Sequence, residues 1–160
     1  MLACMPDDPE KILISACLLG LPCRYDGATA RDEARAAAAV RLTELRRAGE
    51  IELVGFCPEE AGGLGTPRPP AWIEERDAAA VLAGEARMVT GEGVDVTASF
   101  RAGAEAALAT CREHGVTRAL LKERSPSCGV AATHVAGAPV PGPGITARLL
   151  ADHGVEVEGC

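Results

Sequence analysis

Three short apolar runs, each cut off by a cysteine, constrain this chain more than anything else in it. Ile12 to Ile14 with Ala16 runs into Cys17, Ile51 to Phe56 into Cys57, and Arg118 to Lys122 into the loop that carries Cys128. Runs this short and partly β-branched are the mark of strands covered on both faces, as in a parallel sheet flanked by helices. Between them lie helical stretches. Ala30 to Ala48 is rich in Ala, Arg, Glu and Leu and stops at Gly49. Asp95 or Thr97 caps a helix through His114 that has Phe100, Ala104, Ala107, Leu108 and Cys111 on one face and Gly115 at its end. Thr146 to His153 is a last helix before Gly154, and Val155 to Val157 closes the sheet as an edge strand. Strands alternating with helices predict a three-layer α/β domain with a mainly parallel sheet. Two hairpins are expected besides, Ala78 to Thr90 turning near Gly84 and Glu85, and Val130 to Val140. The segment after Cys57, PEEAGGLGTPRPP, is too rich in Pro and Gly for helix or central strand, so it must run over the surface or line a pocket.

The chain has 160 residues, the size of a single domain spanning 1–160, and needs no disulfide to bury about two-thirds of its surface. A formal net charge of −7 argues against a broad phosphate-backbone footprint, so duplex nucleic acid is not expected as a partner. No apolar run approaches the roughly 20 residues of a membrane helix, and MLACMPDDPE lacks the features of a secretory signal. The expectation is a cytoplasmic protein, a monomer or weak dimer, whose seven cysteines are reduced thiols.

In open parallel sheets the ligand crevice lies outside the carboxyl ends of the strands. Cys17, Cys57 and Cys128 each follow one of the best strands, so the topology brings three thiols to one edge. Three thiolates at one point suit a soft metal centre, either an iron-sulfur cluster with one iron open or a zinc with an open position. A structural zinc usually takes closely paired C-x2-C ligands, which are missing here, so spacing favours the cluster. Cys23 shares the first loop and either replaces Cys17 as ligand or serves as a fourth. Cys111 lies on the apolar helix face, and Cys4 and Cys160 stand at the termini.

The motifs SACLLG-x2-CRYDG, CPE-x2-GGL-x-TPRPP, G-x-DVT-x-xF and KERSPSCG occur in this order over about residues 12 to 150. Together they resemble the thiouracil desulfurase family, small bacterial iron-sulfur desulfidases formerly of unknown function. The resemblance implies a Rossmann-like domain holding a 4Fe-4S cluster by three cysteines, matched here to Cys17, Cys57 and Cys128. It also implies non-redox conversion of a thiolated uracil, as base, nucleoside or nucleotide, to the oxo-pyrimidine and hydrogen sulfide. The chain has CPEEAGGLGTP where CPEVLGGLPTP is more typical of the family, a change that touches no proposed ligand.

That chemistry needs a base to activate water, and Glu59, two residues beyond Cys57, is the candidate. Ser125 and Ser127 are placed to hydrogen-bond the pyrimidine edge or the cluster sulfides. Arg68, Lys122 and Arg124 are cations for a substrate phosphate or for the cluster's negative charge. Asp26 holds Arg24 in place. His114 and His153 precede helix-ending glycines and serve the helix dipole, while His134 is left without a role. Two alternatives stand beside this reading: a non-catalytic iron-sulfur sensor or scaffold, and a zinc or thiol-redox protein.

Overall fold

The computed structural model describes residues 8–28 and 37–160. Its centre is a four-stranded, wholly parallel sheet of β1 (Glu10–Ser15), β2 (Ile51–Phe56), β5 (Arg118–Leu121) and β8 (Glu156–Gly159), ordered β2-β1-β5-β8. Side chains alternate across the pleat, and the core divides accordingly. Leu13, Ala119 and Leu121 face α4 (Thr97–His114) and α5 (Ile145–Asp152), while Ile14 and Leu120 face the other way with Leu42 of α1 (Ala37–Arg47). Helices on both faces of a parallel sheet make the three expected layers. The Ala30 to Ala36 part of the first expected helix lies outside the described residues.

The chain order makes β1 the switch point. From β1 it crosses to β2 on one side, then returns to β5 on the other. Ser15 pairs with Phe56 and Ile14 with Leu120, so the three strands end level with one another. Cys17 follows β1 in a single 3-10 turn, Ala16–Leu19, which a left-handed Gly20 (φ 93°) terminates. Cys57 follows β2 directly.

A second sheet, which the sequence reading did not anticipate, is ordered β4-β3-β6-β7 and has its own core around Ile73, Val81, Met88, Phe100 and Ile145. Its strands are β3 (Ala71–Ile73), β4 (Met88–Thr90), β6 (Ala132–Val135) and β7 (Ala138–Pro141). The second expected hairpin is present as β6 and β7. The first is not. Asp77 accepts a hydrogen bond from the Ala80 N–H at 2.9 Å and starts α3 (Ala78–Leu82), and β4 pairs instead with β3. An N-cap followed by a run of alanines outweighs weak strand propensity. The Pro-rich segment also departs from expectation, because Pro58–Ala61 forms a one-turn helix, α2, with the proline in the first turn where its missing N–H costs nothing. Among the described residues no helix is long and apolar enough to cross a membrane.

Glycines fix how α2 sits. A Cβ on Gly103 of α4 would stand 2.8 Å from the Pro58 carbonyl carbon, and one on Gly62 would stand 2.9 Å from the Ser99 carbonyl carbon. The two backbones therefore touch, and this contact sets the position of the residues just after Cys57.

Candidate functional site

A crevice of about 420 Å³ opens at the carboxyl ends of β1, β2 and β5, with the second sheet as its far wall. Cys17, Cys23, Cys57 and Cys128 all line it. Cys17, Cys23 and Cys128 are buried and Cys57 is half-buried. After the Gly20 turn the chain folds back on itself, with the Cys23 N–H donating to the Leu21 carbonyl at 2.9 Å, so Cys23 returns to the side of Cys17. The Cys57 thiol donates to the Cys23 carbonyl at 3.7 Å. Cys128 is held by a serine turn: the Ser125 hydroxyl accepts from the N–H groups of Ser127 (3.2 Å) and Cys128 (2.9 Å). Gly129 then passes so close to the backbone that a Cβ there would stand 2.8 Å from the Ser125 carbonyl oxygen.

The Cys23, Cys57 and Cys128 thiols are held protonated by their surroundings. A hydrogen bond with Cys17 is the main cause that lifts Cys23 to about 11, against the opposing pull of the hydrogen bond with Cys57. Cys57 is raised further, first by its hydrogen bond with Cys23 and then by burial. Burial carries Cys128 to about 12, with hydrogen bonds from Ser15 and Ser125 working the other way. Only a strong local positive charge, such as that of a metal centre, would convert such thiols to thiolates.

Glu59 stands in the first turn of α2 beside the thiols, with its side chain only 16% exposed. Burial raises its carboxyl above the ordinary range, and the Arg68 guanidinium, 3.4 Å away, offsets only part of that rise. Arg24, Arg68, Lys122, Arg124 and Ser125 also reach the crevice, while Asp26 lies outside its lining, 3.9 Å from Arg24. Ser127 lies outside it as well. That hydroxyl is fully buried and pairs with Thr146 at 2.7 Å, which ties the Cys128 turn to α5. Lys122 donates through Nζ to the Glu123 carbonyl at 2.9 Å. The Glu123 carboxylate is committed to the N–H groups of Val130 and Ala131. Cys111 is packed in the core, Cys160 is half-buried, and Cys4 lies outside the described residues.

Among the lining residues that carried no role in the sequence reading are Ser15, Tyr25, Trp72 and His134. Ser15 ends β1 and accepts the Lys122 N–H at 3.0 Å. His134 Nδ1 meets the Arg124 carbonyl at 2.8 Å. A signal for the aromatics was present, since the chain has only four Phe, Tyr and Trp in all. Three of them, Tyr25, Phe56 and Trp72, line the crevice, while Phe100 fills the core.

Fold and crevice together define an α/β protein with a thiol-rich ligand site at the carboxyl edge of its parallel sheet. The chain belongs to the 2-thiouracil desulfurase family, whose profile matches residues 12–159. It is 39% identical over 149 residues to the uncharacterized protein YbbK of Bacillus subtilis (strain 168), covering 91% of this chain and 93% of that one. It is also similar to a solved structure described as the 4Fe-4S-dependent thiouracil desulfidase TudS, at 42% identity and a TM-score of 0.76, covering 94% of this chain and 90% of the other.

Proposed function

We propose that this chain removes sulfur from a thiolated uracil, as base, nucleoside or nucleotide, at a 4Fe-4S cluster held by Cys17, Cys57 and Cys128, with Cys23 the alternative to Cys17. The observation that carries the reading is the meeting of these thiols with Glu59 in one crevice lined by three of the chain's four aromatic rings. The donor set suits iron and sulfur, being soft and mostly buried, with two carboxylates in the lining, Glu59 and a Glu123 already committed to the Val130 and Ala131 N–H groups. Among the described residues no three His, Cys, Asp or Glu side chains gather on one point as a single metal ion requires. The upward shifts of Cys23, Cys57 and Cys128 count against thiol-redox chemistry, which depends on depressed thiol pKa values.

When bound, the cluster supplies Lewis acidity toward the thiocarbonyl sulfur. The chain's own residues do the rest. Tyr25, Phe56 and Trp72 offer apolar faces to a planar ring, in a cavity within the usual range for small ligands. Glu59 takes a proton from a water molecule as its oxygen attacks the ring carbon, and that carbon exchanges its sulfur for oxygen. The sulfur leaves with two protons as hydrogen sulfide, and no electrons are transferred. Ser125 steadies the Cys128 turn against the crevice, while Arg24 and Lys122 supply positive charge at the crevice wall.

The test is anaerobic purification followed by iron, sulfide and zinc analysis and an assay of sulfide release from a thiouracil. About four irons per chain, with sulfide release, is expected. Stoichiometric zinc without iron would overturn the metal assignment. An iron-loaded protein that releases no sulfide would favour the scaffold alternative.

A further inference from the structure

Arg68 was expected to meet a substrate phosphate or the cluster's charge. Its surroundings point elsewhere. The side chain is only 6% exposed, and both terminal nitrogens are engaged by the protein. One donates to the Gly65 carbonyl at 3.1 Å and the Thr66 hydroxyl at 2.9 Å. The other donates to the Cys23 carbonyl at 2.9 Å and stands 3.4 Å from Glu59 Oε2. The Arg68 backbone N–H donates to the Tyr25 carbonyl at 2.7 Å, and the Thr66 hydroxyl donates onward to Glu60 at 2.6 Å.

We propose that Arg68 is a positioning residue for the desulfuration, fixing the Glu59 carboxylate and the Cys23–Tyr25 turn against one another across the crevice. The proposal rests on the reading of Glu59 as the base. Its physical content is that one rigid, planar fork reaches both thiol-bearing loops at once, which a lysine's single ammonium does not. Arg68 thereby reaches back 45 positions to the Cys23 carbonyl and ties that turn to Glu59 with one side chain. Without it, Glu59 would keep its place on α2 but lose the group that sets its orientation, and the Cys23 carbonyl would be left with only the weaker Cys57 thiol as donor. Both terminal nitrogens of Arg68 are held by protein groups, so on this proposal its effect on rate passes through Glu59, and iron content reports separately on the Cys23–Tyr25 turn.

A double-mutant cycle separates this from a general structural role. Arg68→Met, Arg68→Lys, Glu59→Gln and the pairs with Glu59→Gln are loaded to full iron content and compared in single-turnover sulfide release from a thiouracil. Iron content and the thiouracil-induced change in the visible spectrum are recorded for each. Arg68→Met is expected to slow release by roughly 10- to 100-fold, the usual cost of losing an outer supporting partner. It should leave the spectral response to thiouracil intact, and its loss should largely vanish in the Glu59→Gln background. Arg68→Lys should recover part of the rate, and it carries the cycle if Arg68→Met fails to fold. Losses that add in full with those of Glu59→Gln would overturn the proposal. So would a weakened response to a thiolated nucleotide alone, which would return Arg68 to phosphate binding. Wild-type turnover in Glu59→Gln by itself would instead refute the underlying reading of Glu59, and the proposal with it.

Discussion

Replacing Gly103 by alanine sets two effects of known size against each other. Gly103 lies inside α4, where alanine is intrinsically the better helix former by about 0.8 to 1.0 kcal/mol. On propensity alone the variant should be more stable. The new Cβ, however, would overlap the Pro58 carbonyl oxygen, stand 2.8 Å from the Pro58 carbonyl carbon and 3.4 Å from the Gly62 nitrogen. These are backbone atoms of α2 and its end, so no side-chain rotation relieves the overlap, and either α2 or α4 must move. Overpacking of this kind costs about 1 to 3 kcal/mol, with the rigid partner placing it toward the upper end. The net expectation is a loss of about 1 to 2 kcal/mol, or a fall in Tm of roughly 2 to 8 °C for a domain of this size. The apo protein, followed by circular dichroism through thermal unfolding, gives that number directly. Because α2 carries Glu59, a shift of about 1 Å should also cost on the order of 10²-fold in sulfide release by the iron-loaded enzyme. Gly65→Ala is the control, since a Cβ there meets open space, and its effect should stay within about 0.5 kcal/mol. A Gly103→Ala protein as stable and as active as wild type would refute the backbone contact between α2 and α4 as the device that places Glu59.

Cys57→Ser, Cys128→Ser and Cys17→Ser are expected to abolish iron retention after anaerobic reconstitution, while Cys111→Ser, in the core, should keep its iron. Loss of iron in Cys23→Ser but not in Cys17→Ser would reassign the first ligand. Glu59→Gln should keep the cluster spectrum and lose about 10²- to 10⁴-fold in single-turnover sulfide production; turnover within a few-fold of wild type would move the base elsewhere. Neither Asp95 nor Thr97 is the cap that the sequence suggested, since Val96 holds that position in α4 without a side-chain hydrogen bond; Asp95, one place earlier, accepts hydrogen bonds from the Thr97 hydroxyl (2.6 Å) and N–H (2.9 Å), so Asp95→Ala should cost about 0.5 to 1 kcal/mol. Those bonds hold the Asp95 carboxyl below its ordinary value, so its contribution is present above about pH 4 and fades as pH falls through the lowered value. Asp95→Asn should flatten that part of the acid unfolding curve, and an unchanged curve would refute the contribution of the Asp95–Thr97 bonds.

The strands at 51–56 and 118–121 and the helix at 97–114 could be read from the chain because each is specified by residues adjacent in sequence. Burial on both faces leaves a continuous apolar run, and a single apolar face leaves a 3.6-residue period. The place of the site could be read for a related reason. Parallel strands all end on the same edge, so three cysteines that each follow a strand must converge, whatever the details of packing. The strands of the second sheet nearest the crevice could not be read this way. β3 and β4 have three residues each, too short to show a period, and pair across the 14 residues 74–87, which include a helix.

What only the tertiary structure decided is which side chains complete the crevice. Ser125 and Ser127 look equivalent in KERSPSCG, yet the turn at Cys128 sends one hydroxyl under the thiol loop and the other into the core against Thr146. Trp72 and His134 reach the crevice from the second sheet, and Arg68 finds the Cys23 carbonyl 45 positions away. Sequence fixes periodicity and caps because those depend on neighbours a few residues apart. The partner of a buried guanidinium or the facing of a serine depends on how whole elements stack, and that is settled only when the two sheets and the close-set backbones of α2 and α4 come together.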